Sequence, residues 1–568
     1  MLRALYLIIA VCCFLPTLPG LLGVLVSSLG YVPPLGMHQF GLAGFAMVFE
    51  WEGVWQSICM TVYCAIASSY LACLITFAIL QASWGTRFWR QVEISLSPLL
   101  AMPHVAFAIG FAFLFAPTGM GPRLLSLVGY DANAQTVNDL ALLVKDPYAL
   151  GLILMLAMKE VPFLLLMSIS VLRQLKVEQS EKVSASLGYS KAQTWWKCVF
   201  PQWLAKLRFP MLAVMAYSLS VVDVALIIGP TNPPTFAVLV WQWFNDPDLA
   251  LLPRAAAGAV VLFVIAIVMI AFARLVEWAV TKGFREWQFS GRSGYSLPGK
   301  SVFSAILFIS VVMVPLMVIW SIAQRWRFPD LLPSRCSLRF WEYEWDSILG
   351  TVSQSLLIAL ITASVALGFA LVAHEYRLRH KLQVPGYIIA IPMLIPQLSV
   401  LFGMQVATLY LSSGAHFFWV CWAHVFFAFP YVYLSLDGPW RSYDEGLTRV
   451  ALSLGKSPLR VWLKIKMPIL LPAIVFAWAI GISVSLAQYL PTLVLGAGRI
   501  STITTEAVAL SSGYDRRVTA IYAIWQALLP LVFFSFAILV SRLQSRYRRL
   551  SMKGLLPNES LYRKPRHP

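Results

Sequence analysis

Twelve runs of mainly apolar residues follow one another along the chain, near 4–28, 54–80, 97–116, 148–172, 209–229, 255–280, 302–322, 347–373, 386–411, 417–436, 469–495 and 519–541. A helix needs about 20 such residues to cross a hydrocarbon layer, so each run is a candidate membrane crossing. With 59 % hydrophobic and only 12 % charged residues, and a mean hydropathy of +0.75, 568 residues cannot present a water-facing surface throughout. Membrane lipid is the main solvent. A β-barrel would need strands of about ten residues with alternating polarity, and the unbroken apolar run 255–273 excludes that. The expectation is an all-α polytopic membrane protein with about 12 transmembrane helices. The first run is read as a retained helix, because it is long and lacks a small-x-small cleavage site before a polar start.

The formal net charge of +18 has two common causes, nucleic-acid binding and bias across a membrane. Nucleic acid requires a continuous basic face, whereas here Lys and Arg fall in short clusters between apolar runs, so no nucleic-acid partner is expected. With an even number of crossings and the N-terminus inside, the inner segments and helix ends hold 32 Lys+Arg and the outer loops hold 10. The positive-inside bias thus places both termini in the cytoplasm. Seven of the eight cysteines lie in or beside apolar stretches, and only Cys336 sits in a polar external one, so neither disulfides nor a metal site is expected.

Two polar loops align without gaps at an offset of 267. The first runs from Glu181 through Gly188, Trp195 and Lys197 to Pro201, and the second from Thr448 through Gly455, Trp462 and Lys464 to Pro468. Val, Ser, Leu, Gly, Ser, Trp, Lys and Pro recur at matched positions. Upstream, Pro103-His104 and Gly110 match Pro396-Gln397 and Gly403, and Pro162-Phe163 matches Pro430-Tyr431. The first copy carries about 25 extra residues, which fall in the outer loop 117–147. The unit is six helices used twice in the same orientation, as two parallel repeats. The organisation that follows is a first helix and outer loop at 1–52, a first repeat at 53–278, a linker at 279–301 around Ser290-Gly291-Arg292-Ser293-Gly294, a seventh helix and outer loop at 302–346, a second repeat at 347–541 and a basic tail at 542–568.

Each repeated loop reads as a short helix, a turn permitted by Gly188 or Gly455, and a second short helix ended near Pro201 or Pro468. A plainer amphipathic linker resting on lipid headgroups would explain the lysines and tryptophans, but not the repeated glycine-to-proline spacing. In these loops the chain resembles the inner-membrane permeases of binding-protein-dependent ABC importers, the MetI-like or ABC transmembrane type-1 family, whose loop reads E-A-A-x3-G-x9-I-x-L-P. The motif's Gly and Pro fall on Gly188 and Pro201, and again on Gly455 and Pro468. Its Ile-x-Leu becomes Cys198-Val199-Phe200 and Ile465-Lys466-Met467, and its glutamate falls on Lys182, beside Glu181, and on Arg449. The resemblance covers roughly residues 50–275 and 345–541. Two copies in one chain are similar to the fused permeases of thiamine-type and ferric-iron-type importers. Pro396-Gln397-Leu398-Ser399 and Leu486-Ala487-Gln488-Tyr489-Leu490-Pro491-Thr492, followed by Gly496-Ala497-Gly498-Arg499, look most like the YnjC type.

The resemblance implies a bacterial inner-membrane location and a division of labour. A cytoplasmic ABC ATPase homodimer uses ATP, each repeated loop enters a cleft of one ATPase subunit, and a periplasmic binding protein delivers a small solute. Glu181, Gly188, Pro201, Arg449, Gly455 and Pro468 are then the coupling residues. The chain itself is expected to be no enzyme and to hold no cofactor. Gly455-Lys456-Ser457 mimics a phosphate-binding loop, but the glycine needed five positions earlier is Val450.

Ionisable groups inside apolar runs cost about 2.5 to 3.5 kcal/mol on insertion scales, so each requires a role. Lys159 and Glu160 precede Pro162, and Asp223 lies within Ser220-Val221-Val222-Asp223. They line the pathway, or one carboxylate pairs with Lys159 or caps a proline-broken helix. The second half offers Gln488 where the first has Asp223, and Gln397 follows Pro396 as His104 follows Pro103. The competing class is an ion- or proton-coupled secondary transporter using Lys159, Glu160 and Asp223, which has no need of duplicated loops. On the outside, the insert 117–147 and the stretch 325–346, with Arg325-Trp326-Arg327-Phe328-Pro329, are the surfaces for a soluble partner or a capping loop.

Overall fold

The computed structural model describes residues 2–13, 16–127, 143–283, 285–381, 389, 391–410, 414–513 and 515–555. Parts of the outer insert (128–142), the linker (284) and the basic tail (556–568) lie outside these described residues.

Among the described residues ten helices are long and apolar enough to cross a membrane. The run 209–229 is not one of them, because it divides into Arg208–Ser220 and Asp223–Ile228. The run 386–411 is also divided, into Ile391–Leu394 and the 13-residue Gln397–Leu409. Two further runs are interrupted: Arg87–Ala101 stops before His104–Phe115, and Met467–Ala487 stops before Leu490–Gly496. The chain is all-α apart from the short antiparallel pair Ala323–Arg325 and Arg335–Cys336.

The four interruptions have two causes. At Pro103 and Pro396 the proline pushes the chain into extended geometry and then starts a new helix, for which its fixed φ is suited. At Val221 and Gln488 no proline or glycine stands at the break, yet both residues are extended (φ −67°, ψ 126° and φ −75°, ψ 115°). These two positions are 267 residues apart. The same offset relates Lys191–Thr194 to Pro458–Val461 and Phe236–Phe244 to Ile503–Ser511. A hydroxyl from the first long helix of each repeat, Val54–Ser83 or Arg339–Arg379, fixes each of the last pair. The Phe236 N–H donates to Thr61 Oγ1 at 2.6 Å, and the Ile503 N–H to Ser355 Oγ at 2.8 Å.

The halves interlock through their first helices. Thr17–Ser28 packs on Gln397–Leu409 of the second half, and Gly299–Ile322 packs on His104–Phe115 of the first. A Cβ on Gly403 would come within 1.7 Å of the Gly20 carbonyl oxygen, so the helices touch backbone to backbone. Gly403→Ala is therefore expected to cost about 1–3 kcal/mol by overpacking. Gly368→Ala is the control, since a Cβ there meets nothing within 4 Å. The thermal midpoint of the detergent-solubilised protein checks this, and equal midpoints for the two variants would contradict the contact.

Leu249–Gly283 leaves its apolar window 78 % uncovered, as a lipid-facing helix should, whereas Leu150–Gln174 and His416–Arg441 are among the most enclosed. These central helices carry Lys159 and Glu160 in one half and His424 and Tyr431 in the other. At the end of the bundle away from the repeated loops, buried Arg123 donates to the carbonyls of Thr118, Arg327 and Asp330 and lies 4.8 Å from the Trp326 ring and 5.5 Å from Phe328. The stretch 325–330 thus folds back as a cap over the bundle.

Candidate functional site

Two arrangements carry the candidate residues, a pair of surface hairpins and a polar cluster at the helix breaks. The first hairpin begins with Val177–Ser186 and turns at Gly188, which has φ +79°, and its N–H donates to the Ala185 carbonyl. A capping box between Ser190 and Gln193 starts Lys191–Thr194. In the second hairpin Asp444 caps Glu445–Ser453, and Gly455 turns with φ +76°. Both glycines occupy the left-handed region, where a side chain is penalised.

The helix after each turn does not end at the proline, as the sequence pattern had implied. A π-turn, Trp195–Val199 or Trp462–Lys466, leads straight into the next helix, and Pro201 and Pro468 stand at its first positions. The wider turn carries the chain past residues that lack an N–H: the second hairpin runs unbroken into Met467–Ala487, and the first into Phe200–Lys206, which Leu207 separates from Arg208–Ser220.

Glu181 does not face outward. Its carboxylate accepts the Trp195 indole N–H at 2.6 Å and lies 4.0 Å from the Lys191 ammonium. Burial, with Lys300 nearby, holds that ammonium below its ordinary range against the opposing pull of Glu181. Arg449 is exposed. The exposed apolar residues at the tips escaped the sequence reading. Val183 and Val450 are 61 % and 60 % accessible, and Leu187 and Leu454 are 63 % and 72 %. Each pair is related by the 267-residue offset, and repeated aliphatics in a polar loop were the signal available. They give each hairpin the same apolar knob.

The hairpins are anchored differently. The linker straps the first: Lys197 donates to the Trp287 and Ser290 carbonyls with its ammonium 4.1 Å from the Trp287 ring centroid, Trp196 donates to the Tyr295 carbonyl, and Gln193 to the Arg292 carbonyl. The second is held by Lys466, whose ammonium lies 2.9 Å from Glu375 and 3.0 Å from Glu445. Both chain ends approach this side of the bundle, as Tyr6 stacks on Tyr376 and Gln544 donates to the Pro468 carbonyl.

In the polar cluster Lys159 lies within electrostatic range of Glu160 but makes no direct contact with a carboxylate among the described residues. Its buried ammonium donates to the Leu99 carbonyl at 2.8 Å, at the C-terminal end of the helix interrupted before Pro103. A cation there satisfies an orphan carbonyl and suits the negative end of the helix dipole. Glu160 instead pairs with His104, Nε2 to Oε1 3.1 Å. The His104 ring lies 4.7 Å from that of Tyr217. Asp223 starts its short helix and lies within electrostatic range of His104, Tyr217 and Tyr489. Tyr431 lies in the same range of Glu160.

The break in the second half is braced by a residue that sequence reasoning missed. His424 is fully buried, with Nδ1 2.8 Å from Ser485 Oγ and Nε2 2.8 Å from Thr492 Oγ1. Gln488 donates to the His424 carbonyl at 3.2 Å, and its buried Oε1 has no partner among the described residues. Gln397 is half-buried at the start of its helix, and its side chain makes no hydrogen bond among the described residues. Direct contacts thus join His104 to Glu160 and Tyr217, with Asp223 within electrostatic range of His104, Tyr431 of Glu160 and Tyr489 of Asp223. Lys159 is left as a helix cap.

A bundle of apolar helices in two interlocked halves, with discontinuous helices meeting at a central polar cluster, defines a multi-pass membrane transport protein. The chain is 31 % identical over 497 residues to the inner membrane ABC transporter permease protein YnjC of Escherichia coli K12, covering 86 % of this chain and 88 % of that one. The chain belongs to this family of inner-membrane ABC transporter permeases. Shorter matches reach the spermidine/putrescine permease PotC of Haemophilus influenzae, 27 % identical over 25 % of this chain and 56 % of that protein, and the putrescine permease PotI of E. coli K12, 26 % identical over 26 % and 58 %. No family model matches the chain.

Proposed function

We propose that the chain is the permease subunit of a binding-protein-dependent importer, with its hairpins and both termini in the cytoplasm. The supporting observation is the pair of hairpins, which share the glycine turn, the π-turn and the exposed Val and Leu of the tip at one offset. Such a pair fits an ATPase homodimer, one hairpin to each subunit, and ATP is used there. A periplasmic binding protein delivers the small solute at the opposite end. Closure of the ATPase dimer drives the hairpins as levers, the second through its unbroken run into Met467–Ala487 and the first through its linker strap. Glu160, Asp223 and Gln488, with His104, are the pathway residues at the breaks; Lys159 holds a helix end, and Gln397 marks the matching break of the second half.

Native mass spectrometry of the complex co-expressed with its neighbouring ATPase should give two ATPase subunits per chain. Solute uptake by proteoliposomes should require enclosed ATP and survive collapse of the proton gradient. Uptake that needs no ATP and stops when the gradient is collapsed would replace this reading with a proton-coupled transporter built on the His104–Glu160 pair.

A further inference from the structure

The two repeats share a groove at their hairpin end but close it differently. In the first half Arg208–Ser220 meets Leu252–Trp278 where Glu277 is clamped between Arg208 and Arg274, each at 2.6 Å, and the space left there is about 30 Å³. The offset of 267 carries Arg208, Glu277 and Arg274 to Val475, Gln544 and Ser541, so the clamp has no counterpart. Gln544 is turned to the Pro468 carbonyl instead. What opens in the second half is a groove of about 500 Å³ between His416–Arg441, Met467–Ala487 and Arg516–Leu555. That volume lies within the range of small-ligand sites, about 300–1,000 Å³.

The walls are apolar and the rim is basic. Ala473 and Phe476 line one side, Ala537 and Ile538 the other. Pro439 and Pro472 stand inside their helices, where each ring displaces the preceding turn and keeps the helices from closing together. Phe476 and Ile538 are each 37 % accessible, on helices whose apolar windows are mostly uncovered, so the groove opens toward lipid. Arg542 stands at the rim, exposed, and its helix carries no Asp or Glu from Arg516 to Leu555. Asp437, on the helix that closes the groove from the third side, is already held by Arg377 at 2.6 Å and Arg441 at 2.9 Å. Among the described residues neither the Arg542 guanidinium nor the Ser541 hydroxyl has a partner. A guanidinium and a hydroxyl above an apolar groove match a phosphodiester carried on an acyl chain. A soluble anion would leave the apolar walls bare, and an uncharged lipid would leave the guanidinium unmatched.

We propose that this groove binds one anionic phospholipid of the leaflet on the hairpin side, with its phosphate on Arg542 and Ser541 and an acyl chain along Ala473, Phe476 and Ile538. The site stands apart from the importer reading. It is built on the helix into which the second hairpin runs, so the bound lipid braces that hairpin as the linker braces the first.

The test is native mass spectrometry of the full chain in detergent, titrated with phosphatidylglycerol or with phosphatidylcholine. One phosphatidylglycerol is expected to bind ahead of the rest, about fivefold or more tighter than phosphatidylcholine, the factor that one basic residue contributes at an anionic surface. Arg542→Gln should remove this preference and Arg542→Lys should keep most of it. Arg208→Gln, in the closed groove of the first half, should leave it unchanged. Ala473→Phe, or Ile538→Phe from the facing helix, fills the groove without touching its charge and should abolish the tight adduct. The thermal midpoint of each filled variant shows that it is folded, and either one suffices. Equal binding of the two lipids, or a preference that survives Arg542→Gln, would overturn the proposal. A preference that survives the filled variants would overturn it too, since the lipid would then be drawn to the basic surface alone. Displacement of the adduct by inorganic phosphate would overturn it in favour of a free anion, and a chain dimer lost in Ala473→Phe would give the groove to a second copy.

Discussion

Gly188→Val and Gly455→Val, each alone, are expected to lower ATP-driven uptake and ATPase co-purification by about tenfold or more while leaving the membrane bundle assembled. A Cβ on Gly455 would meet nothing within 4 Å, and one on Gly188 only the Arg292 guanidinium at 3.5 Å, so space is not the obstacle. The obstacle is φ, +76° and +79°. Leaving the left-handed region relieves about 1–2 kcal/mol of strain but swings the two short helices of the hairpin apart, and about 1.4 kcal/mol is already a factor of ten in a docking equilibrium. Asn tolerates this conformation, so Gly188→Asn and Gly455→Asn should keep most of the activity. Co-purification from membranes and uptake in proteoliposomes read the effect. Valine variants that dock and transport like the unaltered chain would show that the hairpins do not couple to an ATPase.

How much of this was legible in the sequence depends on how local the cause is. The twelve apolar runs are local, and so are the breaks at Pro103 and Pro396, where the proline announces itself. The breaks at Val221 and Gln488 have no such residue; the internal repeat puts them in register, but only the packed structure shows both extended. The hydrogen-bond partner of Lys159 is a backbone carbonyl 60 residues away, which composition cannot reveal, so the sequence leaves pathway lining, pairing with a carboxylate and helix capping open. His424 was invisible for a related reason, because its hydroxyl partners lie on the two sides of the break at Gln488 and look like ordinary membrane-helix residues. Interlocking of the first helices was equally hidden. Helices that are apolar all round carry no stripe to say which side meets Gly403 and which meets lipid.

Identical hairpin tips on unlike anchors mean that a symmetric partner is received by an asymmetric chain, and the second anchor is the more fragile. Lys466→Met is expected to destabilise the protein by about 3 kcal/mol, the lower end of the range for breaking a buried ion pair, because Glu445 keeps a third of its side chain accessible. The lysine is 4 % exposed and joins Glu375 to Glu445, so without it Glu445 confronts a Glu375 that keeps only Arg379, at 3.2 Å, beneath Trp440 and Tyr443. Lys197→Met should cost only about 1 kcal/mol. Its partners are carbonyls of Trp287 and Ser290, on a linker that water can reach once the ammonium is gone. Combining Lys466→Met with Glu375→Gln and Glu445→Gln removes the confrontation and should recover most of the loss. Thermal midpoints of the solubilised variants, read by tryptophan fluorescence, decide between these costs. If the triple variant is no more stable than Lys466→Met alone, packing of the lysine stem and not the carboxylate pair holds the second hairpin.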